Sequence, residues 1–121
     1  MIKIDHEKSI AIIEIHGTAE MPDIQRAIKA LLENPDHLDG MDEIWDFREA
    51  SLESFTRKDL QDLALFISKH LDKLAKRTAL VVKNDLEFGI GRMWDVYAES
   101  DAPQERKLFR DIEEAFDWLA T

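Results

Sequence analysis

Apolar residues recur along this chain at two different periods, and the points where the period changes divide it into elements. Ile2-Lys3-Ile4 alternates as a half-buried strand does, and Ser9 to His16 is a β-branched run closed by Gly17. The charged Asp5-His6-Glu7-Lys8 between them suits a hairpin turn. The period then lengthens. Pro22 sits where a first helical turn tolerates it, and Ile24, Ile28, Leu31 and Leu32 follow at helical spacing until Asn34-Pro35.

Ile44 to Arg48 predicts a third strand, with Trp45 and Phe47 on one face and Ile44, Asp46 and Arg48 on the other. Thr56 is placed to cap a second helix whose buried stripe is Leu60, Leu63, Ala64, Ile67, Leu71 and Leu74. Thr78 to Val82 is a continuous apolar run, the pattern of a parallel strand covered on both faces. A third helix is predicted over 86–98 and a short last strand over Lys107-Leu108-Phe109. Asp111 opens a final helix, with Glu114 three residues on as in a capping box and Ile112, Ala115, Phe116 and Leu119 facing inward. Strands that alternate with helices predict an α/β fold. The expected architecture is a mostly parallel five-stranded sheet, its first strand antiparallel, with right-handed crossovers and about four helices.

Composition narrows the function classes. A chain of 121 residues has the usual size of one domain, so residues 1–121 are read as a single domain. The absence of cysteine excludes disulfides, thiolate metal sites and a cysteine nucleophile. No apolar run approaches the roughly 18 residues of a membrane span, and the charged amino end does not resemble a signal peptide. A cytoplasmic protein is expected. The net charge is −10, acidic residues outnumber basic ones in both halves, and no basic stripe exists. Binding to a phosphate backbone therefore lacks its main driving force, and nucleic acid is not expected as a partner. Charge likewise opposes attraction to an anionic bilayer, so a peripheral membrane contact would depend on apolar insertion.

Three stretches carry the resemblance to a known family: Trp45-Asp46-Phe47-Arg48, the Asn84-Asp85-Leu86-Glu87-Phe88-Gly89-Ile90-Gly91-Arg92-Met93 segment after a buried strand, and the closing Phe109-Arg110-Asp111-Ile112-Glu113-Glu114-Ala115-Phe116-Asp117-Trp118-Leu119. Together they resemble the SpoIIAA-like family, relatives of the STAS domain, over essentially the whole chain. The resemblance implies the STAS/SpoIIAA fold, similar to the lipid-binding domain of Sec14-type proteins. For function it implies binding of small or apolar ligands and membrane association. One departure stands out. STAS anti-anti-sigma factors carry an Asp-Ser-Ser-Gly-type motif with a phosphorylated serine before the second helix, whereas this chain has Ser51-Leu52-Glu53-Ser54-Phe55-Thr56-Arg57. Ser54 and Thr56 are hydroxyls in the right neighbourhood for partner switching by phosphorylation, but a helix cap accounts for Thr56 without it.

Two constellations remain as candidate sites. Glu14 and His16 share one strand face, as do Asp46 and Arg48, and in neighbouring strands they would converge near the carboxyl edge of the sheet, where open α/β sheets bind ligands. Read functionally, this is a polar ligand site. Read structurally, it is an ion pair and a strand end, and it lacks the third ligand that a metal needs. In the third helix, Phe88, Ile90, Met93, Trp94 and Tyr97 cover more of the circumference than one core stripe requires, after a start loosened by Gly89 and Gly91. That pattern suits a movable wall over an apolar pocket or a membrane-dipping surface. The alternative is a well-buried helix with Trp94 or Tyr97 at a homodimer contact. The lone Gly89-x-Gly91 does not continue as a nucleotide loop, because Trp94 stands where a third glycine belongs. No nucleophile elbow, Walker loop, His-Glu-x-x-His, EF-hand or paired zinc motif is present. The expectation is therefore a non-enzymatic binding module with no cofactor, taking an apolar or amphipathic small ligand. A partner-switching regulator is the alternative.

Overall fold

A computed structural model describes residues 1–121. In chain order the elements are β1 (Ile2–Asp5), β2 (Ile10–Thr18), α1 (Met21–Glu33), β3 (Asp42–Ser51), α2 (Arg57–Ser68), β4 (Arg77–Val81), α3 (Asp85–Asp101), β5 (Glu105–Phe109) and α4 (Ile112–Leu119). One five-stranded sheet holds the strands in the order β1-β2-β3-β4-β5, with β1 antiparallel to β2 and the rest parallel. The α/β architecture expected from the alternation of elements is the one observed.

Spatial order equals chain order, and this has a geometric result. Right-handed crossovers that all advance in one direction deposit their helices on one face of the sheet. Accordingly α1, α2 and α3 pack together against Ala11, Ile13, Trp45, Phe47, Leu80 and Val82. Only α4, which follows β5, lies on the opposite face, where Ala115 and Leu119 meet Ile10, Ile44, Ala79, Val81 and Phe109. The strand order never reverses. A sheet without such a reversal lacks the crevice between oppositely placed helices that usually serves as the α/β ligand site.

Local chemistry explains most element ends. In α1 the Glu20 N–H donates to Asp23 Oδ2 at 2.8 Å, and the helix stops at Asn34 ahead of Pro35. At α2 the expected cap forms as a reciprocal box: Asp59 N–H donates to Thr56 Oγ1 at 3.1 Å and Thr56 N–H to Asp59 Oδ2 at 2.9 Å. Three details differ from the pattern-based reading. The second helix ends at Ser68, before Leu71 and Leu74, where the Lys69 and His70 N–H groups turn to the i−3 carbonyls of Phe66 (3.3 Å) and Ile67 (2.9 Å) and the chain continues in turns. Asp111 caps α4 by accepting from Glu113 N–H at 2.8 Å rather than through a box with Glu114. Gly17 lies within β2, at positive φ, instead of closing it.

Candidate functional site

The residues singled out in the third helix and in the polar quartet fall on opposite faces of the sheet. On the α4 face, β2 and β3 pair in register from Ile10↔Asp42 to Glu14↔Asp46, and then the register shifts so that His16 faces Glu49. β3 therefore carries one extra residue at this point, a β-bulge. Its unpaired backbone is satisfied by Asp46. The Asp46 carboxylate accepts from Arg48 N–H (3.1 Å), Arg48 Nε (2.9 Å) and Arg48 Nη2 (2.8 Å). Burial alone would raise the Asp46 pKa, but these hydrogen bonds and the Arg48 charge hold it below the ordinary aspartate value. Beside them, Glu14 lies 3.7 Å from His16 Nε2 and 3.3 Å from Lys3 Nζ. Glu14, His16, Asp46 and Arg48 thus do come together near the carboxyl edge. Each is already partnered, Asp46 and Arg48 act as the clasp of the bulge, and no group of three residues there could hold a metal ion.

On the other face, between the sheet and the α1–α3 layer, lies a cavity of about 90 Å³. Of its 19 lining residues 14 are hydrophobic, so the walls are largely unable to hydrogen-bond. Ile28 of α1, Leu63 and Ile67 of α2, Ile90 and Trp94 of α3, and Phe47 and Leu80 of the sheet contribute to it. Of the five α3 residues expected at a pocket, Ile90 and Trp94 line this one. Phe88 and Tyr97 are partly buried on the flanks of α3 against the same core, with Arg110 stacked 4.7 Å over the Phe88 ring. Met93 points outward with Leu86 and Val96. Gly91 lets α3 approach the sheet closely, since a Cβ there would lie 2.5 Å from Leu108 Cδ2, whereas Gly89 faces open space. The glycine pair therefore serves packing at one position only.

The cavity also has a polar end, which hydrophobic periodicity does not register. Glu43, Thr78 and Arg106 are cross-strand neighbours in β3, β4 and β5, and Gln104 lies just before β5. Glu43 is only 3% exposed. Its Oε1 accepts from Trp45 Nε1 at 2.9 Å and its Oε2 from Ala75 N–H at 3.0 Å. Burial pushes its carboxyl above the ordinary glutamate pKa despite those bonds. Arg106 pairs with Asp95 at 3.2 Å, and Gln104 Nε2 donates to the Ala75 carbonyl at 2.6 Å. Thr78 Oγ1, in a residue 6% exposed, pairs with no other protein group. A second buried acid, Glu87 in the first turn of α3, accepts from Leu52 N–H at 3.2 Å and ties the loop before α2 to this layer. In that loop Ser54 is exposed, and the Thr56 hydroxyl is engaged in the α2 cap.

No family model matches the chain, and none of the curated proteins does. Among solved structures, the chain is similar to an uncharacterized protein of the DUF3478 family with a SpoIIAA-like fold from Shewanella loihica PV-4. The two share 21% identity over 98% of this chain and 90% of the other, with a TM-score of 0.59. No helix of this chain is long and apolar enough to cross a membrane. That likeness extends over nearly the full length, and with its mostly parallel sheet, antiparallel first strand and four helices the chain has the SpoIIAA-like fold that its sequence resemblance implied.

Proposed function

We propose that this protein is a non-enzymatic binding module that holds a small apolar or amphipathic ligand between its sheet and its three-helix layer. The observation that carries this reading is the cavity itself. Protein interiors are ordinarily packed as tightly as organic crystals, and a partly open cavity of about 90 Å³ reaching into the main core of a 121-residue chain forgoes dispersion contacts that larger side chains would have made. A bound guest restores those contacts. Native mass spectrometry of gently purified protein tests this, expecting an adduct that disappears on denaturation. A ligand-free mass, with no thermal stabilisation by any small apolar compound, refutes it.

A second reading, reversible contact with a membrane surface, is favoured by the outer face of α3. Leu86, Gly89, Met93, Val96 and Ser100 form an uncharged ridge there, with Leu86 and Val96 more than half exposed. With a net charge of −10, such contact would proceed by apolar insertion and depend little on anionic lipid. Flotation with neutral and with anionic liposomes separates the cases. Binding only to anionic vesicles, or to neither, counts against insertion through this ridge.

A further inference from the structure

The polar end of the cavity limits what can occupy it. Glu43, Thr78 and Arg106 stand in one row across three adjacent strands, so their side chains rise together at spacings of about 5 Å. Arg106 is committed to Asp95, Gln104 to the Ala75 carbonyl, and each Glu43 oxygen already accepts one bond. No free counter-charge is left for an ionised guest, and burying an unpaired charge is prohibitive. The one fully buried side-chain atom at this end that pairs with no protein group is the Thr78 hydroxyl, which can both donate and accept.

A single water could satisfy Thr78 but would leave most of the space empty. A water takes roughly 30 Å³ of liquid volume, and beyond Thr78 the walls offer further waters few partners. Scaled from the benzene-binding cavity of about 150 Å³, this one fits a guest of roughly four non-hydrogen atoms. We infer that the cavity selects a small uncharged molecule with a short apolar body and one hydroxyl, the hydroxyl pairing with Thr78. This inference rests on the cavity reading above and adds the chemical class of the guest.

The test uses the intact protein, 1-propanol and 1-chloropropane, which match in length and differ in the hydroxyl. Methyl resonances of Thr78, Leu80 and Ile90 are followed during titration. Both compounds are expected to bind saturably. Because they partition differently from water, the informative quantity is the ratio of their affinities, compared between the native chain and Thr78→Val. Loss of one hydrogen bond should lower the propanol preference about five-fold in Thr78→Val, and Thr78→Ser should retain it. Thr78→Ala replaces the valine variant if that one does not fold. An unchanged ratio with both compounds bound overturns the hydroxyl selection while leaving an apolar binding module. No saturable shift with either compound, the cavity then holding water only, overturns both.

Discussion

Replacing Thr78 with valine exchanges a hydroxyl for a methyl at nearly constant volume, and in the ligand-free protein it should be stabilising. The Thr78 side chain lies in the first residue pair of the β3–β4 ladder, buried, with Oγ1 unpartnered. A buried hydroxyl that no protein group pairs costs up to about 1–3 kcal/mol relative to its solvated state in the unfolded chain, less where a cavity water pairs with it, and the substitution removes that cost. The new methyl adds little, because it faces the cavity and has few atoms to touch. A net gain of about 1–2 kcal/mol is expected, which at this chain length raises the melting temperature by roughly 3–10 °C. Urea unfolding of protein stripped of small molecules should show a higher midpoint at unchanged slope, since the surface exposed on unfolding is the same. Thr78→Ser, which keeps the hydroxyl and loses the methyl, should show no gain. A loss of 1 kcal/mol or more in Thr78→Val would show that Oγ1 has a firm partner in the resting protein, and the account of the cavity's polar end would be wrong.

Glu43 has a folded-state pKa above its unfolded one, so its protonated form is favoured on folding. Its contribution is complete below the ordinary glutamate pKa and is lost as pH rises through the raised value. Urea midpoints of Glu43→Gln should therefore gain on the native chain as the solution becomes more alkaline; parallel pH profiles would refute this. Asp46 behaves oppositely, its pKa being depressed: its stabilisation is present above the ordinary aspartate pKa and fades as pH falls through the lowered one. With Arg48 partly solvated, Asp46→Asn should cost about 1–2 kcal/mol at neutral pH and little in acid, and equal destabilisation at both would exclude a charge-based clasp. Gly91→Ala should cost about 1–3 kcal/mol by forcing Leu108 aside, while Gly89→Ala, facing open space, should be neutral or slightly stabilising by circular dichroism melts.

Much of this fold could be read from the chain because its signals are local. The alternation of Trp45 and Phe47 against Ile44 and Asp46, the cap at Thr56, and the apolar stripe of α1 each involve residues within or next to one element. Ile90 and Trp94 were likewise accessible, since an apolar excess on one helix is visible in a single window. The polar end of the cavity was not. Glu43 and Arg106 look like ordinary charges at strand ends, and Thr78 like the first residue of an apolar run. Only the register of three strands from distant parts of the chain aligns them. The bulge after Asp46 was hidden for a related reason. Period-two reasoning continues straight through an inserted residue, and it misses that Ala50 and Leu52 return to the three-helix face. The carboxyl-edge site was expected from a rule about sheets whose strand order reverses, and this sheet does not reverse.

The unreversed order β1-β2-β3-β4-β5 also bears on how the protein assembles. Each strand docks beside its immediate predecessor, so every loop closed during sheet growth spans a single crossover and the entropy of closure stays small. A sheet built this way can lengthen strand by strand from its amino end, as a chain leaves the ribosome, with no earlier edge held open for a later segment. α4 is the exception. It covers Ile44, Ala79, Val81 and Phe109 from the other side, and until it docks that apolar face is bare. Collapse of α4 is thus the step that protects the nascent sheet from sticking to another copy of itself.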